Sequence, residues 1–434
     1  VRFIKQISLV AGFVRNAPAD RRQASGNLSP ICRTRIPTMR RYRSDTRFDQ
    51  AQSIAELEHM ARCRLPHFAW EYLAGGAEEE ITLRRNRQAF AEIGLLPSTL
   101  VSCAELDTSR ELFGQTRPLP LAIGPTGFNG MLHRDADIAL ARAARDKGIP
   151  FSLSTVSSNS LEEVAAAVPD GELWFQLYWL NDADVQEDLL RRAEAAGVRT
   201  LLLTSDAVLI GNREWDRRNF ARPLQLTWRN KLDVIRHPGW IRQALWPQGM
   251  PKMGNLLPYL PADASNTAGA AHFMAHKMEM GLCWDRLAQL RKRWPHRLIL
   301  KGVQTAADAR RCVAMGLDGI VVTNHGGRQL DGAPATIDCL PAIAEAVRGQ
   351  LAILLDSGIR RGSDIAKACA LGADAVLLGR ATLFGVAVGG QAGAAHALGL
   401  LEQELRRVLG LVGTPKLADL DHSKLVALRS ALVE

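Results

Sequence analysis

From about residue 118 the chain alternates short, unbroken apolar runs with longer stretches whose apolar residues recur every three or four positions. The runs are PLAIGP (120–125), PFSLST (150–155), LWFQLY (173–178), TLLLTSD (200–206), LILKG (298–302), GIVVTNH (319–325), AILLDSG (352–358) and AVLLGR (375–380). Continuous Val/Ile/Leu runs of this kind mark strands buried on both faces, as in a parallel sheet. Between them lie DADIALARAARDKG (135–148), SLEEVAAAV (160–168), DADVQEDLLRRAEAAG (182–197), AADARRCVAMG (306–316) and SDIAKACALGA (363–373). These have helical spacing, and several close on the glycine expected just past a helix C-terminus. Eight strand–helix units predict a closed (β/α)8 TIM barrel. An open doubly wound sheet is the alternative, weakened because no G-x-G-x-x-G follows the first run.

Two regions stand outside this rhythm. Residues 53–100, opening with SIAELEHMARCRLP, predict a helical preamble. The longest break, 214–290, is an insertion between the fourth and fifth strands. Within it, 221–275 carries six Lys/Arg, two Asp/Glu and Trp228, Trp240 and Trp246. Basic residues interleaved with tryptophan suit an anionic membrane surface, so this segment is expected as a mobile, membrane-contacting loop. A subunit contact or a lid over the site fits it equally well.

The net charge of +9 invites a polyanion partner until it is located. Residues 1–50 hold 11 Lys/Arg against 3 Asp/Glu, which leaves 43 basic and 42 acidic residues for the rest. The body is therefore neutral, and no nucleic-acid partner is expected. Residues 1–47 are Arg-rich and acid-poor, as transit peptides are; the plainer expectation is a disordered or non-native tail, with 48–434 as the barrel domain. No apolar run reaches 18 residues, so no spanning helix is expected. The seven cysteines are scattered and never form C-x-x-C, which predicts reduced thiols and no metal centre.

Barrel active sites lie at the C-terminal ends of the strands. Read in order, those ends give Thr126 and Gly127, Ser154, Gln176 with Tyr178, and Thr204 with Asp206. Lys301 follows, then Asn324, His325 and Arg328, Asp356 with Arg360, and Gly379 with Arg380. Gly and Arg after the seventh and eighth strands are where such barrels bind phosphate. Lys301, pointing into the barrel mouth, needs an anionic partner. Taken singly these residues have plainer readings. A strand-end histidine is more often a satisfied core residue, Asp206 caps a helix, and Arg213 belongs to a solvated charge run. Their order along the strand ends favours a site.

The segments TNHGGRQLDG, LLDSGIRRGSDIAKACALGADAVLLGRATLFG, FQLY, LKG and EYLAGGAEEEITLRRN resemble the FMN-dependent α-hydroxy-acid dehydrogenase/oxidase family, over roughly 50–415 in consistent order. In IGPTGFNG, GRATLFG and the long insertion the chain looks most like the membrane-associated bacterial dehydrogenases for lactate and mandelate. The resemblance implies FMN as cofactor and oxidation of an L-2-hydroxy acid to the 2-oxo acid. It implies a quinone or cytochrome acceptor, a homotetramer, and a place in the cytoplasm on the inner face of the cell membrane. His325 would be the base, Asp206 its stabiliser, and Arg213 and Arg328 the carboxylate clamp. Tyr72 and Tyr178 would hydrogen-bond substrate, and Lys301 would sit beside the flavin. Pro125, Thr126, Gly127, Ser154, Gln176, Thr204 and Thr323 would surround the ring. Asp356, Ser357 and Gly358 would meet the ribityl chain, and Arg360, Gly379 and Arg380 the phosphate. Three details depart from the common pattern. Thr323 stands where Ser is usual, the neighbours between Asp206 and Arg213 differ, and Gly127 replaces the Ala typical of the oxidases, which favours a dehydrogenase. An oxidase producing hydrogen peroxide and a non-catalytic flavin- or phosphate-binding barrel are the competing readings.

Overall fold

The computed structural model describes residues 47–222, 225–247, 249–262 and 267–428. The basic tail expected over 1–47 lies, up to residue 46, outside the described residues. The eight apolar runs all form strands: β1 (Leu121–Ile123), β2 (Phe151–Ser154), β3 (Leu173–Tyr178), β4 (Thr200–Thr204), β5 (Arg297–Val303), β6 (Gly319–Val322), β7 (Ala352–Leu355) and β8 (Ala375–Leu378). Each pairs in parallel with its neighbours, and β8 pairs β1, so the sheet closes into the predicted barrel.

The period of two along each strand divides the core. Ala122, Trp174, Leu202, Ile299, Val321, Leu354 and Leu377 meet inside the barrel. Their neighbours Leu121, Phe175, Leu201, Leu203, Leu300, Ile320, Ile353 and Val376 face the surrounding helices. A short antiparallel pair, Arg110–Leu112 with Gln115–Arg117, brings Leu112 and Phe113 to the interior cluster. The Phe113 ring meets Trp174 edge-on at 5.9 Å. Two residues beyond the apolar layer, the same inward-facing register reaches Gly124, Ser154, Gln176, Thr204, Lys301, Thr323, Asp356 and Gly379. Alternation alone thus converts a dry core into a polar floor.

The preamble is helical as expected: α1 (Ile54–Arg64), α2 (His67–Ala74) and α3 (Ile81–Ala91). The next helices are α4 (Ala136–Asp146), α5 (Leu161–Ala167) and α6 (Ala183–Ala195). The insertion carries α7 (Glu214–Arg218), α8 (Trp228–Ile235), α9 (Pro238–Trp240) and α10 (Thr267–Lys277), so the segment read as a long loop holds helices. Trp240 is buried and donates its indole N–H to the Met131 carbonyl, whereas Trp228 and Trp246 are exposed. Then come α11 (Trp284–Arg293), α12 (Ala306–Ala314), α13 (Thr336–Val347), α14 (Gly362–Ala370) and α15 (Arg380–Val412). By length and composition α15 could cross a membrane, although its sequence is no uninterrupted apolar run. It breaks at Gly389–Gly390, and two-thirds of its most apolar stretch (67%) is buried against the rest of the molecule, including α1, α4 and α14.

Candidate active site

The strand ends open into a cleft enclosing about 1060 Å³ of empty space, its mouth included. Its wall includes Tyr72, Pro125, Thr126, Gly127, Ser154, Tyr178, Arg213, Lys301, His325, Arg328, Asp356, Ser357, Gly358, Arg360, Gly379 and Arg380. Asp206, Gln176, Thr204 and Thr323 stand one layer behind. Ser154 Oγ donates to Gln176 Oε1, and Gln176 Nε2 donates to Thr204 Oγ1, both at 2.9 Å. Thr323 Oγ1 accepts the His325 amide at 3.0 Å, so the hydroxyl shared by Ser and Thr is in use.

His325 Nδ1 lies 3.0 Å from Asp206 Oδ1, across 119 residues of chain. With the proton on Nδ1 bonded to the carboxylate, Nε2 keeps its lone pair for a substrate. Burial, opposed by Asp206 but aided by Lys301 and Arg213, holds the imidazole below its ordinary pKa. It is therefore neutral near pH 7 and able to accept a proton. Burial pushes the Asp206 carboxyl up, but His325 and Lys301 outweigh it and the carboxyl stays ionised. Its second oxygen, Oδ2, is buried with no hydrogen-bond partner. An unsatisfied anion of this kind favours a cation on the adjoining ring.

The opposite wall is cationic. Burial, aided by Arg213, lowers the Arg328 guanidinium to about 10, which still leaves it charged. Its Nη1 donates to the carbonyls of Tyr72 and Gly75, and Asp216 lies 3.7 Å from Nη2. Arg213 Nε donates to the Arg328 carbonyl at 3.4 Å, so the two guanidiniums come from one packed pair of loops. Tyr72 donates its hydroxyl to the Gly127 carbonyl at 3.0 Å. Burial lifts the phenols of Tyr72 and Tyr178 above their ordinary range, keeping both protonated as donors.

At the strand-five end, burial pulls the Lys301 ammonium down, but Asp206 and Asp356 overcome it and it remains a cation. Its Nζ is 3.4 Å from Asp356 Oδ2, the anionic partner that a buried lysine needs. Arg360 and Arg380 have no such partner. Arg380 is spent on the carbonyls of Leu73, Gly75 and Gly326, and Arg360 on that of Ile359. Burial lowers Arg360 to about 10, and burial with the neighbouring Arg328 and Arg360 lowers Arg380 strongly. Neither pairs with a carboxylate among the described residues. Two half-buried cations beside the backbone of Gly358 and Gly379 are suited in charge and donors to a phosphate dianion. On the flat side, a Cβ added to Gly127 would meet Val156 at 2.5 Å, so alanine there requires Val156 to move. The donors, the cationic end and the bare backbone at Gly124 to Gly127 fit a phosphorylated flavin.

Several site residues escaped the sequence reading. Asp216, the anion beside Arg328, sits in the run REWDRR and looked like surface charge. Gln329 donates to the carbonyls of Asp206 and Leu209 and accepts from the Gly211 amide, tying the base's partner to the Arg213 loop. Its signal was its place directly after Arg328. Asn129 lines the cleft and binds Thr126 and the buried Asp137. It lies in the IGPTGFNG segment that carried the family likeness, which gave it no role of its own.

Residues 61–427 match the family described as FMN-dependent dehydrogenase. The chain is 41% identical over 375 residues to an L-lactate dehydrogenase of Chromohalobacter salexigens, covering 86% of this chain and 94% of that protein. It is 42% identical over 371 residues to an L-lactate dehydrogenase of Yersinia pestis, covering 84% and 95%. Among solved structures it is similar to the monotopic membrane protein (S)-mandelate dehydrogenase, with TM-score 0.83, 40% identity and coverage of 87% and 100%. A mandelate oxidase structure is also similar, with TM-score 0.70, 37% identity and coverage of 85% and 96%. With its barrel, its imidazole–carboxylate pair and its phosphate seat, this chain belongs to the FMN-dependent α-hydroxy-acid dehydrogenase family, and FMN is its cofactor.

Proposed function

We propose that the protein oxidises a small L-2-hydroxy acid, lactate or mandelate, at this cleft and hands the electrons to a membrane quinone. The observation that carries the proposal is the His325–Asp206 pair facing Arg213 and Arg328 in one cleft with Lys301. Arg213 and Arg328 hold the substrate carboxylate, because a planar fork matches it and both guanidiniums face the same space. Tyr72 and Tyr178 hydrogen-bond the carboxylate and the 2-hydroxyl. His325 Nε2 accepts a proton from the substrate, and Asp206 holds the imidazolium so formed. Bound FMN supplies the two-electron acceptor. Lys301, a fixed positive charge in the cleft, would stand beside bound FMN and favour its taking up electrons. Pro125 to Gly127 back the ring, with Ser154, Gln176, Thr204 and Thr323 behind it. Asp356, Ser357 and Gly358 serve the ribityl chain, and Arg360, Gly379 and Arg380 the phosphate.

The exterior supports a lipophilic acceptor. Leu209, Ile210 and Leu330 are exposed on the two loops that carry Arg213 and Arg328. On α8, Trp228, Leu232 and Ile235 are exposed at positions i, i+4 and i+7, with Arg229, Lys231 and Arg236 beside them. An apolar stripe flanked by cations suits insertion into an anionic leaflet, and we place it on the cytoplasmic face. The family resemblance further implies a homotetramer.

The first test is anaerobic titration of the flavin spectrum with L-lactate and then (S)-mandelate. Bleaching by one acid identifies the substrate class; a bound flavin that no 2-hydroxy acid bleaches refutes the reaction. A reduced enzyme that reoxidises with a short-chain quinone faster than with dissolved oxygen supports the dehydrogenase; the reverse order makes it an oxidase. The double substitution Trp228→Ser with Ile235→Ser should release the protein from anionic vesicles, and unchanged binding would exclude α8 as the anchor.

A further inference from the structure

The catalytic loop after β6 holds an unusual backbone. His325, Gly326 and Gly327 are consecutive left-handed residues, with φ of 58°, 68° and 73°. For glycine this conformation is free, but for histidine it is strained and persists only where its surroundings over-determine it. The loop lies outside the barrel's hydrogen-bond ladder, so the restraint must come from elsewhere.

Thr323 and Ser357 take the amides of His325 and Gly326, and Arg380 donates to the Gly326 carbonyl; the rest comes from α3, a helix that precedes the barrel in sequence. Asn86 Nδ2 donates to Asn324 Oδ1, and Asn324 Nδ2 donates back to Asn86 Oδ1, both at 2.8 Å. The two amides form a closed reciprocal pair, 2% and 4% exposed. Asn324 also donates to the Pro334 carbonyl at 3.0 Å and accepts the Gly327 amide at 3.2 Å. Its side chain therefore spans the turn that contains His325, and Asn86 fixes that side chain from outside.

The helix and the loop restrain each other at a second point. Glu80, the residue before α3, gives no side-chain cap. The free amides of Ile81 and Thr82 are instead taken by the Asp331 carboxylate, at 3.2 and 2.8 Å. Thr82 Oγ1 donates to the Ala333 carbonyl at 3.0 Å. Thr82 and Asn86 are one helical turn apart, so both project from one buried face. Gly327 lies so close to the helix that an added Cβ would be 2.6 Å from the Leu83 amide.

We infer that Asn86 is a positioning residue for catalysis: through Asn324 it holds the left-handed turn that aims His325 at the substrate. This rests on the role proposed above for His325 as the base. A misplacement near 1 Å costs about 100-fold in rate, and because Arg328 stands on the same turn its hold on the carboxylate is disturbed as well, while Arg213 reaches the cleft from the loop after β4.

The test compares holoenzymes carrying Asn86→Ala, Asn86→Asp, Asn324→Ala and the double alanine substitution. Asn86→Ala should lower kcat roughly 10- to 100-fold, with a rise in KM smaller than the fall in kcat because Arg213 still holds the carboxylate. The isotope effect on a 2-deuterated substrate should rise, because hydrogen removal becomes slower than the other steps. Asn86→Asp keeps the acceptor for Asn324 Nδ2 and loses the donor, so it should fall between. The double variant should be no worse than the worse single one, since the pair acts as a unit. Hydrogen exchange over 324–329 should quicken in Asn86→Ala while the barrel strands stay protected. Wild-type kcat, isotope effect and exchange, with only a lower melting temperature, would overturn the inference. Exchange does not depend on turnover. Quickened exchange with no wild-type turnover of any 2-hydroxy acid would therefore sink the proposed reaction and leave the brace standing. If Asn86→Ala does not fold, Asn86→Asp decides both readouts.

Discussion

At the residue scale the site sets one ionised carboxylate behind a neutral imidazole and several cations around the space before it. His325→Ala should leave FMN bound, because its phosphate seat and ring backing are elsewhere, yet lower kcat by about 10²- to 10⁴-fold. Retention of turnover within about tenfold would remove His325 as the base. The pH profile follows from the same electrostatics. The imidazole must be neutral to act, so activity is lost as pH falls through its pKa, and burial places that pKa below the ordinary value. The acid limb of kcat/KM should therefore lie below about pH 6.5. A limb well above that value would show that Asp206, rather than burial, dominates the pair. The strand-end positions of His325, Arg328 and Lys301 were legible from the apolar runs before them, while their roles were what the family resemblance implied. Asp216 was not legible, because one acid in a run of charges has no signature until a half-buried arginine faces it.

At the element scale, order on the strand-end loops comes from helices that pack over them. Gly358, after β7, has φ of +89°, and a Cβ there would be 2.3 Å from the Asn86 carbonyl. Gly358→Ala should thus strain the loop by about 1–3 kcal/mol and force it off α3. The measurable outcome is a lower melting temperature with weakened FMN retention; unaltered FMN affinity would mean the loop can shift without disturbing the phosphate seat. The insertion shows the limit of periodic reading. Its Pro and Gly scatter and mixed charge hid the helices α8 and α10, because their stability depends on where they pack. Trp240 illustrates this: it shares its composition context with Trp228, yet one is core and the other is exposed.

For the whole molecule, two half-buried cations without a carboxylate in ion-pair contact among the described residues predict that cofactor and fold are linked. FMN should raise the melting temperature of the apoprotein clearly more than riboflavin does, since a ligand stabilises in proportion to its affinity for the folded state. Equal shifts would mean Arg360 and Arg380 do not receive the phosphate. The sequence by itself determined the barrel. Eight apolar runs alternating with helices bury both strand faces in a parallel sheet, the missing G-x-G-x-x-G weighs against the open doubly wound form, and the chain order of the polar ends fixes which side chains line the mouth. Tertiary structure alone decided the partnerships across the chain: Asp206 with His325, Arg213 against the Arg328 loop, Asp331 capping α3, and Asn86 with Asn324. The physical reason is range. Periodicity and strand-end chemistry are local properties of a few neighbouring residues, whereas a hydrogen bond across a hundred or more residues depends on how loops and helices pack after the barrel has closed.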